Sequence, residues 1–336
     1  MKILVSITSG ANNTERNILR SFYDGIEKFY FEKFNTNQHR KLKKNHDIDL
    51  ELNYDPSIRK CDIAVQFGSV KERKNEHHLT RQSIKENAKV VIYIETPFLG
   101  RIIDKKSNYS FYRIGVDGFL NNDGVFYKEE ERDKSRLEYL RTQVKIPVFT
   151  NWKDHTKGNI LILLQLPGDA SLRGQRMSEW LNDTVDQIRK LTDRHINIRF
   201  HPALSDKGKA EFFSECYALF FQNYTNITWN DGSESLETDL LNAGICVSYT
   251  SGSCIDAVLA GVPVIAMDEG NLTYSFSSHR IDEISNPKLA SKIEIDDWLL
   301  SLANSQWNET EMREGTVWKK IEPLVLECLD QKNKDD

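Results

Sequence analysis

Short apolar runs alternate along the chain with longer segments in which apolar residues recur every three or four positions. In the first half the apolar runs lie at residues 3–8, 61–67 and 89–95, and a shorter alternating run lies at 48–52. Between the first two runs, apolar residues recur at helical spacing: Leu19, Phe22, Tyr23, Ile26, Phe29 and Tyr30. Strand-length runs that alternate with helical patterns predict an α/β domain built on a parallel sheet.

A second series of the same kind begins near Gly158. Buried strands are predicted at residues 159–164 and 196–200, and the intervening segment from Met177 to Leu191 has the spacing of an amphipathic helix. The segment 143–157, which contains Pro147, separates the two series and predicts a linker. We therefore expect these divisions of the chain: a first domain over 1–145, a second over 158–315, and a C-terminal helix over 316–336 that could cross back to the first domain.

The stretch from Cys246 to Asp268 combines a buried strand, a small-residue turn, a short helix and a second buried strand. Thr250, Ser251, Gly252 and Ser253 form the turn before that helix. Free backbone N–H groups and the positive end of the helix dipole would make such a turn a seat for an anion, for example a phosphate. An ordinary βαβ unit with a tight turn has the same pattern, so both interpretations stay open.

Two more loops lie at the predicted carboxyl ends of strands in the second domain. One runs from Gln165 to Arg176, and the other is Arg199-Phe200-His201-Pro202, in which Arg199 and His201 share a strand face. Two carboxylates, Asp268 and Glu269, follow the second buried strand of the stretch described above. They could bind sugar hydroxyls or cap a turn. Together these loops could hold a ligand that carries phosphate and sugar groups. The residues predicted to bind it, called the donor-binding set below, are Gln165, Asp169, Ser171, Arg173, Arg199, His201, Thr250, Ser251, Gly252, Ser253, Asp268 and Glu269.

Charge is distributed unevenly between the two halves. Residues 1–150 carry 27 Lys and Arg against 21 Asp and Glu, whereas residues 151–336 carry 18 against 29. A basic first half indicates a polyanionic partner, although chance variation of a solvated surface gives the same asymmetry. Lys and Arg beside aromatic residues would suit a nucleic-acid acceptor. The predicted acceptor-binding set is Ser9, Arg40, Lys43, Lys44, Arg101, Lys105 and Lys106.

Other chemistry is constrained by what the sequence contains. Glu95 at the end of a predicted strand and Asp117 on a predicted turn are candidate general bases for an acceptor hydroxyl.

The five cysteines have no paired spacing, and no His/Cys cluster has metal-ligand spacing, so we expect no metal. No run approaches a membrane span of roughly 18 apolar residues, and the first residues do not have the pattern of a signal peptide. We expect a cytoplasmic protein without a membrane partner.

Several motifs resemble those of a known family. Arg199–Pro202, Tyr249–Ser253 and Ala260–Pro263 resemble the nucleotide-sugar half of capsular-polysaccharide-type glycosyltransferases of the GT-B fold. Glu95–Thr96 and Val116–Gly118, with the loop from Gln165 to Ser171, resemble bacteriophage versions that glycosylate hydroxymethylated bases of viral DNA. The resemblance covers most of residues 89–320.

That resemblance implies a GT-B architecture, in which two Rossmann-like domains with parallel sheets face each other across a cleft. It implies that Ser251, Gly252, Ser253, Arg199 and His201 hold the donor phosphates, that Gln165, Asp169 and Ser171 form an interdomain loop, and that Glu95 or Asp117 faces the acceptor.

The expected activity is transfer of arabinose or glucose from a UDP-sugar to the hydroxymethyl group of 5-hydroxymethylcytosine in double-stranded DNA, with no cofactor beyond the nucleotide-sugar co-substrate. Three alternatives remain at this point. They are a surface or capsular polysaccharide glycosyltransferase, a non-catalytic DNA-binding protein that binds a nucleotide sugar, and an epimerase-type enzyme of similar fold.

Overall fold

The computed structural model describes residues 1–8, 10–34, 47–55, 57–68, 76–101, 109–128, 134–220 and 224–335. The chain divides into two compact units. The first unit comprises Met1–Phe119, Asp123–Ile146 and Leu299–Asp336, and the second comprises Leu120–Asn122 and Pro147–Trp298.

The strands, in chain order, are β1 (Lys2–Ser6), β2 (Asp49–Asn53), β3 (Cys61–Phe67), β4 (Ala88–Glu95), β5 (Tyr112–Val116), β6 (Asn159–Leu163), β7 (Ile196–Arg199), β8 (Ile227–Asn230), β9 (Ala243–Ser248), β10 (Val264–Ala266) and β11 (Gln306–Trp307). The helices are α1 (Asn13–Phe34), α2 (Glu76–Asn87), α3 (Ser135–Gln143), α4 (Met177–Arg189), α5 (Asp206–Phe220), α6 (Leu236–Asn242), α7 (Cys254–Leu259), α8 (Lys292–Asn304), α9 (Glu309–Arg313) and α10 (Thr316–Asp335).

The first unit is built on a six-stranded sheet in the order β11-β5-β4-β3-β1-β2. The neighbours among β1 to β4 pair in parallel, whereas β5 pairs antiparallel with β4 and with β11. One face of the sheet packs Ile3, Val5 and Ile63 against α1 and α10, and the other packs Leu4 and Ala64 with Ile84 of α2. Both faces are covered, which explains why these strands read as continuous apolar runs.

The second unit is built on a five-stranded sheet in the order β10-β9-β6-β7-β8, with every neighbouring pair parallel. The chain builds outward from β6 to β7 and β8, then crosses to the other side of β6 to form β9 and β10. This is the strand order of a doubly wound nucleotide-binding sheet, and its topological switch point lies between β6 and β9. Ligands of such sheets bind outside the carboxyl ends of the strands at the switch point.

The predicted α/β class with two separate, parallel-rich Rossmann-like sheets is confirmed. The antiparallel β5 is a departure, because the sequence predicts a turn around Asp117 but no strand directly before it. The unit boundary also differs from the predicted division, since residues 299–315 lie in the first unit with α10 rather than in the second. Within the described ranges, no helix combines the length and apolar character needed to cross a membrane.

Candidate functional site

Hydrogen bonds join the two loops that flank the switch point of the second sheet. Gln165 follows β6 and Thr250 follows β9, and both side chains are buried. Gln165 Nε2 donates to Ser171 Oγ at 2.6 Å and to Thr250 Oγ1 at 2.8 Å, while Thr250 N donates to Gln165 Oε1 at 2.9 Å. Thr250 Oγ1 in turn donates to the Ser171 carbonyl at 3.0 Å. The network fixes the two loops against each other without offering its own polar atoms to solvent.

The loop after β6 is held by a capped 3-10 turn at Ala170–Leu172. Asp169 Oδ1 accepts from Ser171 N at 3.1 Å and from Ser171 Oγ at 2.9 Å. Arg173 ends the turn in the left-handed region with φ 50° and ψ 39°, which few residue types adopt readily. The backbone therefore turns sharply at Arg173, and its exposed side chain leaves the loop there.

The backbone amides of the turn before α7 are mostly used inside the protein. The Ser251 amide donates to Ser248 Oγ at 3.2 Å, and the Ser253 amide donates to Ser251 Oγ at 3.3 Å. The next two amides, of Cys254 and Ile255, donate to carbonyls of the turn. Within residues 250–255, all of which are described, the Gly252 N–H is the amide without an acceptor in the protein. The sequence predicted several free amides, so the turn offers an anion less than expected, and α7 is only 6 residues long.

Three polar side chains converge at the carboxyl ends of β9 and β10. Arg173 Nη1 lies 3.9 Å from Asp268 Oδ1, and Arg173 Nη2 donates to Asn122 Oδ1. Burial raises the pKa of Tyr249 to about 12, and its hydrogen bond to Asp268 contributes to that rise. Asp268 Oδ1 also accepts from Gly270 N at 2.8 Å. The Arg173 and Asp268 side chains are 35% and 19% exposed, so both can reach a ligand at this edge.

Arg199 is placed differently from the prediction that it holds a donor phosphate. Its side chain is 5% exposed, and Nη1 lies 2.6 Å from Asp239 Oδ2. Nη2 donates to the Glu234 carbonyl at 2.8 Å, and Asp239 also accepts from Asn197 and Asn230. The guanidinium is therefore part of a buried polar network that joins β7 and β8 to the start of α6, and its contact with a donor stays a prediction.

The two remaining donor-set positions are more accessible. His201 is half-buried, and its Nδ1 accepts from Ala203 N at 3.1 Å, so the neutral ring carries its proton on Nε2. Glu269 is exposed, and its carbonyl accepts from Asn121 Nδ2 at 3.0 Å. Their roles in donor binding stay predictions.

The two candidate bases lie at different places along β4. Glu95 is its last residue and is half-buried at the carboxyl edge of the sheet. Asp117 follows the antiparallel β5, where its Oδ1 accepts from Val91 N at 2.9 Å and its Oδ2 lies 3.4 Å from Lys332 Nζ. Val91 lies four positions before Glu95 along the strand, a distance of about 13 Å. Asp117 therefore lies away from the carboxyl end of β4, because β5 runs back towards the start of β4. That either residue serves as the base stays a prediction.

Most of the predicted acceptor-binding set lies outside the described residues. These positions are Ser9, Arg40, Lys43, Lys44, Lys105 and Lys106. Arg101 is described: it is half-buried, and its Nη2 donates to Thr96 Oγ1 at 3.4 Å beside the end of β4. Among the described residues no group of three His, Cys, Asp or Glu could hold a metal ion, and the absence of a cofactor stays a prediction.

Sequence reasoning missed several residues of this region. Asp239 is the partner of Arg199, and Asn122 reaches Arg173 from a segment far away in the chain. Tyr249 belongs to one of the sequence motifs, but the sequence does not indicate its hydrogen bond to Asp268. Local sequence carries no signal for such pairs, because each depends on which strands become neighbours.

Comparisons with known proteins give distant structural likenesses. No protein-family model and no curated protein sequence matches the chain. KpsC of Thermosulfurimonas dismutans, a beta Kdo 2,4 transferase, is 13% identical and covers 86% of this chain and 94% of its own, with a TM-score of 0.45. The beta Kdo 2,7 transferase of the same KpsC is 15% identical over 95% of this chain and 100% of that one, also with a TM-score of 0.45.

A UDP-GlcNAc 2-epimerase of Methanocaldococcus jannaschii, solved with UDP-GlcNAc and UDP, is 14% identical. It covers 95% of this chain and 99% of its own, with a TM-score of 0.34. With TM-scores of 0.45 and below, these likenesses add no argument about activity, which has to be argued from the site itself.

Proposed function

We propose that the chain is a glycosyltransferase that binds a nucleotide sugar at the carboxyl edge of its second sheet. The observation that carries the proposal is the coincidence of the β6/β9 switch point with a built polar network. Gln165, Ser171 and Thr250 lock the two flanking loops together at the position where doubly wound sheets bind nucleotides.

The predicted donor-binding residues divide into two groups by burial. Gln165, Ser171 and Thr250 are buried and act as scaffold, as does Arg199 through Asp239. The accessible groups beside the switch point that can reach a donor include the Gly252 N–H, the Ser253 hydroxyl, the Arg173 guanidinium and the Asp268 carboxylate. A cation and an amide suit a diphosphate, and a carboxylate suits ribose or sugar hydroxyls. UDP is the donor nucleotide we propose, from the sequence resemblance.

For the acceptor we propose the hydroxymethyl group of 5-hydroxymethylcytosine in double-stranded DNA. This part rests on the basic first half of the chain and on the resemblance of its motifs to bacteriophage enzymes. The proposal assigns acceptor binding to the first unit and donor binding to the second.

The test is incubation of the full chain with hydroxymethylcytosine duplex DNA and a panel of UDP-sugars that includes UDP-glucose and UDP-arabinose. Nucleosides are then released and weighed by mass spectrometry, with unmodified DNA of the same sequence as the control. We expect the hydroxymethylated nucleoside to gain one sugar. Transfer only to a glycan would support a polysaccharide acceptor, and donor binding without transfer would indicate a non-catalytic binding protein. Absence of donor binding would overturn the proposal.

Replacing Arg173 with asparagine should weaken UDP binding about 10- to 150-fold, because the guanidinium is an accessible cation at the switch point and a charge-assisted hydrogen bond contributes about 1.5–3 kcal/mol. Asparagine tolerates the left-handed backbone of this position, so the loop should keep its shape. Calorimetric titration with UDP measures the change.

Arg176→Asn is the matched control for that titration. Arg176 lies three residues further along, is 67% exposed in its side chain, and pairs with Glu179. Its variant should bind UDP as the wild type does. An equal loss in both variants would mean that general charge attraction, rather than a site at Arg173, draws the nucleotide.

A further inference from the structure

The first sheet has a switch point of its own. Its parallel strands run in the order β4-β3-β1-β2, so the chain reverses direction across the sheet between β1 and β3. Sheets with this order bind ligands beside the carboxyl ends of those two strands. After β1 the chain turns into α1, and β3 ends at Phe67, directly before Gly68.

Glu15 lies in the first turn of α1, next to this switch point. Its backbone N–H donates to Asn12 Oδ1 at 3.0 Å, and its Oε2 accepts from Asn12 N at 3.1 Å, so the side chain is held back over the helix start. Burial raises the pKa of Glu15. The Asn12 N–H and the charges of Arg81 and Arg16 oppose that rise, whereas the negative charge of Glu95 adds to it.

Arg81 reaches the same place from α2. Its guanidinium donates to the Phe67 carbonyl at the end of β3, and its positive charge interacts with the carboxylates of both Glu15 and Glu95. A Cβ on Gly68, which has φ +74°, would come within 2.6 Å of Arg81 Nη2. Glycine at this turn therefore lets the guanidinium approach the strand end.

Gln66 supplies an independent sign of a ligand at this edge. Its side chain is 1% exposed, and Nε2 donates to the Gly68 carbonyl at 3.0 Å, which directs the carboxamide towards the end of β3. Within the described part of the chain its buried Oε1 accepts no hydrogen bond. A buried acceptor without a hydrogen bond is unfavourable, and a ligand N–H or O–H would satisfy it.

We propose that the β1/β3 switch point is the acceptor site and that Glu15 is its general base, with Arg81 and Glu95 as positioning residues. This inference rests on the proposed glycosyltransferase function. The acceptor hydroxyl oxygen forms a bond to the anomeric carbon of the donor while the bond from that carbon to the diphosphate oxygen breaks. The hydroxyl proton passes to the Glu15 carboxylate, and the electron pair of the broken bond leaves on the nucleoside diphosphate. Glu15 then returns the proton to water.

The test compares Glu15→Gln with Glu32→Gln in the full chain. The glutamine side chain of the first variant keeps an oxygen that can accept from Asn12 N, so the helix cap is retained, and Glu32 is an exposed glutamate of the same helix. With hydroxymethylcytosine DNA and the active UDP-sugar, Glu15→Gln should lower the transfer rate about 100-fold. UDP affinity by calorimetry should not change, and Glu32→Gln should match the wild type in both measurements.

The pH profile separates a base from a structural residue. Wild-type transfer should fall as the pH drops through the raised pKa of Glu15, because the protonated carboxyl cannot accept the hydroxyl proton. The residual rate of Glu15→Gln should lack that acidic limb. A variant rate within about twofold of the wild type, an unchanged acidic limb, or a loss of UDP affinity would each overturn the assignment of Glu15. Absence of transfer by the wild type would overturn the proposed function itself, and this inference with it.

Discussion

Replacing Asp239 with alanine should lower the free energy of unfolding by about 3–5 kcal/mol, because it leaves the Arg199 guanidinium buried without its counter-charge. Both side chains are 5% exposed, and the carboxylate also accepts from Asn197 and Asn230. Removing the carboxylate therefore leaves three donor side chains without this acceptor. Urea denaturation followed by circular dichroism measures the loss.

Asp296→Ala is the control for this experiment. Asp296 pairs with Lys292 on the surface of α8, where both side chains are about half exposed, at 43% and 54%. A solvent-screened surface ion pair contributes little to the free energy of unfolding, so this variant should denature at the same urea concentration as the wild type. Adding Arg199→Met to Asp239→Ala should recover part of the loss, since it removes the unpaired charge. If Asp239→Ala proved as mild as Asp296→Ala, the buried pair would not support this edge of the sheet.

The Arg199 network illustrates what a sequence can predict about a site. The loop Arg199 to Pro202 was correctly predicted to follow a strand, because apolar alternation identifies β7 directly. Whether the guanidinium faces a ligand or a carboxylate depends on Asp239, 40 positions later in the chain. No local pattern indicates that pairing, so the sequence predicts a donor contact for the side chain without predicting the carboxylate that the structure places beside it.

The turn before α7 shows a related limit. Small residues between two buried strands predict the loop, and the loop is present at the switch point. Three of its amides, however, donate to Gln165, Ser248 and Ser251. The sequence alone cannot show whether such an amide donates inside the protein or to a bound anion. The position of the candidate site was predictable from strand order, whereas the division into buried scaffold and accessible groups was not.

The first sheet was predicted well where its strands are fully apolar and poorly where they are mixed. Tyr112 to Val116 contains Arg113 and Gly115, so it lacked the signature of a buried strand. Arg113 is nevertheless buried, beside the rings of Phe98 and Phe119. Tertiary contacts, rather than strand propensity, form β5. That is why the sequence predicts only a turn at Asp117, whereas the structure places its carboxylate beside Val91 at the end of a strand.

Gly25→Ala should be the most damaging single methyl group added to the first unit, costing about 3 kcal/mol of unfolding free energy. A Cβ at Gly25, inside α1, would overlap the Met312 carbonyl oxygen of α9. The Met312 oxygen belongs to the backbone, and the position of the Cβ is fixed by the backbone of α1. No rotamer change can therefore relieve the clash, and α9 would have to move away from α1. That movement would disturb the contacts of Trp318 with Phe22 and Tyr30, which attach α10 to the same helix.

Gly208→Ala provides the contrast, because it makes the same change inside α5. There the nearest atom to the new methyl group is the end of the Leu204 side chain, which can rotate. Alanine is a better helix former than glycine by about 1 kcal/mol, so Gly208→Ala should be neutral or slightly stabilising. Thermal denaturation of both variants measures the difference. Equal melting temperatures for the two variants would contradict this prediction. That result would mean that α9 and α10 pack loosely on α1, and that the close approach at Gly25 does not hold residues 299–336 in the first unit.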